Sequence, residues 1–298
     1  MPATVVLLGA LAVACVPAAQ LLAGAAWPRR CPIAGIALWQ ALGLGWGLAA
    51  VGALAAFGRS GPIATGGTIG RWGVVAVLRL LSLTASIALL TLLCWILLAA
   101  IAAVLKARHR QRDLLGLLAH ADPKVPGALV VDYPAAAAYC VPGLRSAIVV
   151  SAGALDLLDS DELAAVLAHE RAHLRARHDL VLLPFTALLR AFRWSATARA
   201  ANAEVALLVE MLADDRARRR RPARELATAL LRVGVSGGGQ APVGALAATG
   251  AALDGELAAR VARLLRPPPG LPFTAIVAVG VLTALLVVTP ATAWLLPF

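Results

Sequence analysis

The chain has 298 residues, of which 60% are apolar and only 14% are charged, and its mean hydropathy is +0.82. Soluble globular proteins are closer to half apolar and a quarter charged, so this composition excludes an ordinary soluble enzyme and a disordered chain. Lysine and arginine together number 27 against 16 acidic residues, which gives a formal net charge of +11. Such an excess is typical of nucleic-acid binding, contact with anionic lipid or membrane topology signals, and the positions of the basic residues discriminate among them.

Four stretches are long and apolar enough to cross a hydrocarbon layer of about 30 Å, which takes about 20 helical residues. We predict spans at about residues 3–27, 33–57, 80–105 and 271–296. The first stretch also has a feature of signal peptides, because the small residues Gly24-Ala25-Ala26 follow its apolar run. No basic residue precedes it and the run is long for a signal peptide, so we favour a retained helix.

Basic residues near the ends of the spans predict the orientation. The following basic residues all flank the predicted spans on one side of the membrane, which the rule makes the cytoplasmic side: Arg29, Arg30, Lys106, Arg108, Arg110, Arg112, Arg260, Arg263 and Arg266. This pattern predicts a multi-pass protein of the plasma membrane, with the N-terminus outside and residues 106–270 in the cytoplasm. Much of the net charge is then a topology signal, and direct binding of nucleic acid is not expected.

The segment 106–270 is the part polar enough to fold in water, and its pattern indicates an α+β domain. Short β-branched strands are predicted at 128–132 and 147–151. Helices are predicted at 114–120, 161–176, 203–220 and 224–233, with Ser160 as the N-cap of the second. We therefore expect a mainly α membrane protein with three transmembrane helices in 1–105, an inserted domain in 106–270 and a fourth helix in 271–298.

The predicted helix 161–176 contains His169-Glu170-Arg171-Ala172-His173, an HExxH sequence. Residues four apart project from one face of a helix, so both imidazoles can reach one Zn²⁺. Glu170 then lies beside the metal and can take a proton from a water molecule there. HExxH occurs by chance often enough that a third ligand is needed to support it.

The next long helix offers that ligand in Glu210-Met211-Leu212-Ala213-Asp214. Glu210 can complete a site of two histidines and one glutamate, while Asp214, on the same face, can accept the outer N–H of a zinc-bound histidine. Other carboxylates remain rivals for the third position: Glu204, Asp215 and Glu225. The other histidines are expected to be ordinary surface residues: His109, His120 and His178.

These motifs resemble the gluzincin metallopeptidases of families M48 and M56. Residues 165–173 are similar to their HExxH helix, residues 148–163 to the preceding strand and helix start, and residues 210–214 to their ExxxD helix. Three spans, a cytoplasmic zinc domain and a fourth span resemble the BlaR/MecR-type receptors of M56. Those receptors carry a penicillin-binding sensor after the fourth span, whereas this sequence stops at Phe298, so β-lactam sensing is not implied.

The resemblance implies a zincin fold in which His169, His173 and Glu210 bind Zn²⁺, Glu170 is the catalytic base and Asp214 supports a ligand. It also implies that the strand Ser146–Ser151 is the edge strand that aligns the substrate backbone. No residue stands out as the group that stabilises the oxyanion; Arg224 and Arg232 are candidates by position only.

The expected function is that of an integral membrane zinc endopeptidase acting on a protein or peptide substrate, with the bilayer as its second partner. The M56-like layout favours regulatory cleavage of a cytosolic transcriptional repressor. One alternative is an M48-type protease that degrades damaged membrane proteins. Another is a zinc-binding sensor or scaffold without catalysis, although zinc binding alone does not require Glu170.

Overall fold

The structure is a computed structural model that describes residues 3–60, 69–123, 125–143, 146–236 and 250–295. Most of the described chain is helical. Its helices are α1 (Ala3–Ala23), α2 (Pro32–Arg59), α3 (Ile69–Leu118), α4 (Ala152–Leu157), α5 (Ser160–Ala176), α6 (His178–Ala191), α7 (Ala196–Ala217), α8 (Ala223–Val235), α9 (Gly250–Leu265) and α10 (Phe273–Leu295). Four short strands form one sheet: β1 (Ala119–Ala121), β2 (Leu129–Val131), β3 (Ala138–Val141) and β4 (Ala147–Ser151).

Four of the described helices, α1, α2, α3 and α10, are long and apolar enough to cross a membrane. The predicted spans fall on these four helices, although α3 is 50 residues long and exceeds the predicted third span at both ends. The prediction of a separate short helix at 114–120 was wrong. Helix α3 continues without a break to Leu118, and His120 lies in strand β1.

The chain divides into two compact units. The first, which we call the span unit, comprises residues 1–99, 185–205 and 270–298. The second comprises residues 100–184 and 206–269, and we call it the catalytic unit because it contains the predicted HExxH helix. Residues 185–205 thus group with the apolar helices rather than with the catalytic unit.

Within the span unit, α2 packs against both α1 and α10. Gly45 of α2 permits close approach to α10, because a Cβ at this position would lie 2.6 Å from the backbone oxygen of Leu286. Hydroxyl groups of α3 bond to backbone carbonyls of α2, Ser82 to Leu54 at 2.7 Å and Ser86 to Val51 at 3.0 Å. Small residues and hydroxyl groups of this kind are typical of helix contacts in membranes.

The sheet of the catalytic unit has the strand order β1-β2-β4-β3. Strand β4 is parallel to β2 and antiparallel to β3, so it is central. The prediction that Ser146–Ser151 forms the edge strand was therefore wrong. The edge strand beside β4 is β3, which sequence patterning missed because its four residues, Ala-Tyr-Cys-Val, lack a β-branched run.

Helix α5 packs beneath this sheet, with Leu167 in a core that includes Val130, Ile148 and Val150. Its N-terminus is a capping box: the Asp159 carboxylate accepts from the backbone N–H of Glu162, and the Glu162 side chain accepts from the N–H of Asp159. The predicted N-cap, Ser160, was thus wrong by one residue, because an aspartate precedes it and provides the cap.

Candidate metal centre

The two histidines of the HExxH sequence and Glu210 converge in the catalytic unit. Helix α5 presents His169 and His173 on one face, and their Nε2 atoms are 3.0 Å apart. From α7, one carboxylate oxygen of Glu210 lies 3.3 Å from Nε2 of His169, and the other lies 3.4 Å from Nε2 of His173. The three side chains form a group that could hold a metal ion.

Each contact among these side chains has the length expected between two ligands of one zinc ion. Bond lengths of about 2.0–2.1 Å to nitrogen and oxygen place neighbouring ligands of a tetrahedral ion roughly 3.3 Å apart. The two Nε2 atoms are 3.0 Å apart, and they lie 3.3 and 3.4 Å from different oxygens of Glu210. Two imidazoles and one carboxylate also form the donor set of catalytic zinc sites that keep one position open.

The charges around His169 favour a cation. Burial alone would lower the pKa of His169, but Asp214 and Glu210 together raise it to about 10. Burial alone would raise the pKa of Glu210, but the charge of Arg260 and, to a smaller extent, that of His173 hold it well below its usual range. Glu210 is therefore an ionised carboxylate beside two imidazoles, as metal binding requires.

Asp214 lies behind His169 rather than at the converging ligand atoms. Its side chain is 1% exposed, and one oxygen lies 2.9 Å from Nδ1 of His169. A carboxylate at Nδ1 keeps the proton there and leaves Nε2 free to bind a metal. The predicted role of Asp214 thus corresponds to its position, although it holds His169 and does not reach His173.

Arg260 of α9 is the residue of this site that sequence reasoning missed. Its Nε and Nη2 donate to the two oxygens of Asp214, both at 2.9 Å, and its Nη1 lies 3.0 Å from Glu210. In the sequence, Arg260 is one of the basic residues that precede the predicted fourth span. No spacing rule connects it with the metal ligands, because α9 follows a segment outside the described residues.

The expectation that His178 is a surface residue was wrong, since it is 2% exposed. Arg177 ends α5 in the left-handed conformation, with φ of 50°, and this turn brings Nδ1 of His178 to 2.9 Å from Nδ1 of His173. Burial is the main cause that lowers the pKa of His178 to about 3, and His173 and Arg216 add smaller effects in the same direction, so the ring is neutral. His109 and His120 are exposed, as expected for surface residues.

Arg216 lies beyond His178, with Nη1 3.0 Å from its Nε2. If His173 binds metal through Nε2, it carries its proton on Nδ1 and donates it to His178. The neutral ring of His178 then carries its single proton on Nε2, the atom that lies 3.0 Å from Arg216.

Glu170 and Cys140 are neighbours at the edge strand. Burial raises the pKa of Glu170 above its usual range, although His169 and His173 oppose this effect. The thiol of Cys140, in β3, hydrogen-bonds the Glu170 carboxylate, while burial and that carboxylate raise the pKa of the thiol, so Cys140 stays protonated. The edge strand thus passes directly beside the predicted base.

None of the three rivals for the third ligand position belongs to the group formed with the two histidines in the described residues. Glu204 pairs with Arg29 at 3.3 Å, and Asp215 forms a two-bond pair with Arg263 at 2.8 Å. Glu225 lies in the first turn of α8. Within the described residues, Glu210 is the carboxylate that joins both histidines.

Of the two arginines proposed by position for the oxyanion, Arg232 has another partner. It donates to the buried Glu162 at 2.7 Å and thereby braces the capping box of α5. Arg224 is exposed at the start of α8, and its role stays a prediction.

Two of the basic residues assigned to topology also have structural partners. Arg108 of α3 pairs with Asp179, the residue after His178, and Arg112 donates to the carbonyl of Pro142 at 3.4 Å. Pro142 directly follows the edge strand. The extension of α3 therefore contacts both the start of α6 and the end of β3.

Residues 104–217 match the model of peptidase family M48. That range contains the sheet, the HExxH helix and the Glu210–Asp214 segment, but it ends before Arg260. No curated protein and no solved structure gives a significant match. The match names M48 and not M56, and M48 peptidases depend on zinc. Together with the converging side chains, it supports a zinc metalloprotease domain similar to family M48 in this part of the chain.

Proposed function

We propose that the chain is an integral membrane zinc endopeptidase whose catalytic unit faces the cytoplasm. The observation that carries this proposal is the convergence of His169, His173 and Glu210 with Glu170 beside them. Four apolar helices support the membrane location, and the flanking basic residues support a plasma-membrane protein with its N-terminus outside.

In this proposal His169, His173 and Glu210 hold the metal. Bound zinc supplies a Lewis acid that polarises water and the scissile carbonyl. Glu170 accepts the proton of the attacking water and returns it to the leaving amine. Its raised pKa suits this exchange, because a base with a pKa nearer neutrality also serves as an acid.

Strand β3 is the element on which we expect the substrate backbone to lie. It pairs with β4 on one side only, and its other side carries no strand in the described chain. An extended peptide can add to such an edge through backbone hydrogen bonds. Because Cys140 of β3 contacts Glu170, a peptide on this edge would pass beside the base.

Two kinds of protein substrate remain. The predicted regulatory cleavage of a cytosolic repressor depends on the M56-like layout of spans and domain. The M48 match favours instead the degradation of damaged membrane proteins. The third candidate, a zinc-binding sensor without catalysis, is disfavoured by Glu170, which metal binding alone does not need.

The test is a comparison of wild type with Glu170→Gln, both as purified full-length protein and in cells. Glu170→Gln should retain zinc and lose peptidase activity on an unfolded protein by about 10²–10⁴-fold, because general-base catalysis contributes that much. Glu204→Gln is the matched control, since its carboxylate lies outside the catalytic unit.

New protein N-termini in cells then identify the substrate class. Termini that disappear from one or a few cytosolic regulators would support regulatory cleavage, whereas loss from many membrane proteins would support quality control. Equal activity of wild type and Glu170→Gln on purified substrate would overturn the peptidase proposal.

A further inference from the structure

Arg260 contacts both carboxylates that face His169. Its Nη1 lies 3.0 Å from the Oε2 atom of Glu210, and its other two donors bind both oxygens of Asp214 at 2.9 Å. The guanidinium is 13% exposed, and its charge is shared between the two carboxylates. One side chain thus links a predicted metal ligand with the group that orients another.

We propose that Arg260 is a positioning residue that holds the Glu210 carboxylate against the two histidines and keeps His169 in its metal-binding tautomer. This inference rests on the proposed zinc site. The guanidinium contacts Oε2 of Glu210, which lies 3.3 Å from Nε2 of His169, while Oε1 lies 3.4 Å from Nε2 of His173. The contact fixes the orientation in which the carboxylate faces both rings, and partners that orient a ligand in this way commonly change metal affinity by about 10–100-fold.

The second half of this role is exerted through Asp214. Arg260 binds both oxygens of Asp214 at 2.9 Å and so fixes the plane of a carboxylate that is only 1% exposed. One of these oxygens lies 2.9 Å from Nδ1 of His169, so the orientation of the carboxylate decides whether it can accept the proton of that ring atom. Arg260 therefore holds Asp214 in place to orient the first histidine.

Arg263, one turn further along α9, provides a matched control. It forms the same kind of two-bond pair with α7, through Asp215 at 2.8 Å, and it is similarly buried, with 10% of the side chain exposed. Asp215 belongs neither to the converging ligands nor to the contacts of His169. A role limited to holding α9 against α7 predicts equal effects of changing either arginine.

The test measures zinc release from the full-length protein in detergent micelles, loaded with one equivalent of Zn²⁺ and then mixed with a chromogenic chelator. We compare Arg260→Lys, Arg260→Gln and Arg263→Lys with wild type. Lysine keeps the positive charge, but its single ammonium group cannot reproduce the planar set of donors with which arginine bonds both carboxylates. Arg260→Lys should release zinc about 10-fold faster and Arg260→Gln up to about 100-fold faster, whereas Arg263→Lys should match wild type.

Release from Arg260→Lys at the rate of Arg263→Lys would overturn the proposal. A loss of folded protein in Arg260→Lys, judged by circular dichroism and elution volume, would assign the residue a purely structural role and would overturn it as well. The readout is independent of peptide hydrolysis, so a wild type that binds zinc but cleaves nothing refutes the proposed function alone. A wild type that takes up no zinc refutes the metal centre on which both rest.

Discussion

The two compact units satisfy their buried polar groups by different means. In the span unit, the buried hydroxyls Ser82 and Ser86 donate to backbone carbonyls of the neighbouring helix. In the catalytic unit, buried carboxylates pair with arginines from other helices, as in Asp214 with Arg260 and Glu162 with Arg232. These two buried ion pairs belong to the catalytic unit, which also buries neutral groups such as Ser151.

This difference reflects what each unit has to hold in place. A hydroxyl that bonds a helix carbonyl adds little stability and costs little, which suits helices that could lie in lipid. Burying an ion pair is expensive and often gives no net stability, so buried pairs are better explained by the groups they orient. Here the pairs orient Glu210, His169 and the start of α5, which together carry the predicted chemistry.

Removal of zinc should therefore affect one unit and leave the other unchanged. A ligand present at 1,000 times its dissociation constant stabilises the folded state by about 4 kcal/mol, so chelation should destabilise the catalytic unit by about that amount. Hydrogen exchange should become faster in peptides from α5 and α7 near His169 and Glu210, and should not change in α1 and α2.

The variant His169→Ala should reproduce this pattern without chelator, and His109→Ala is its control, because His109 is an exposed residue of α3. Equal loss of protection in both units would show that the metal stabilises the whole molecule and would remove the contrast between them.

The convergence of the candidate ligands was predictable from sequence, whereas the residues that support them were not. Spacing of four residues placed His169 with His173, and Glu210 with Asp214, because a helix imposes that geometry on any sequence. Arg260 lies 46 residues beyond Asp214, so its contact depends on how α9 packs. The contact of His178 depends on a left-handed turn at Arg177, a residue type that gives no signal for such a turn.

Ser151 provides a test of polar groups in the catalytic unit that carry no charge. Its hydroxyl accepts from the N–H groups of Ala137 and Ala154, at 2.8 and 3.1 Å, and donates to the carbonyl of Ala135 at 2.8 Å. Ser151→Ala leaves these groups buried and unpaired, so we expect a loss of about 2–3 kcal/mol in the free energy of unfolding.

Hydrogen exchange of peptides that cover β3, β4 and α4 measures this loss. Ser236→Ala is the control and should have almost no effect, because its exposed hydroxyl bonds only the carbonyl of Val233. A loss below about 0.5 kcal/mol for Ser151→Ala would contradict the view that its three hydrogen bonds stabilise this unit.

Ser86→Ala should have the smallest effect, although the hydroxyl is buried and bonded to Val51 at 3.0 Å. The carbonyl of Val51 lies inside α2 and retains its helical hydrogen bond, so the substitution does not leave this carbonyl without a partner. Hydrogen bonds between membrane helices contribute about 0.6 kcal/mol on average, and we expect a loss of that size in detergent unfolding.

Thr84→Ala is the control, since the Thr84 hydroxyl donates to the carbonyl of Leu81 within α3. A loss for Ser86→Ala as large as that for Ser151→Ala would mean that the span unit depends on specific polar contacts as strongly as the catalytic unit does.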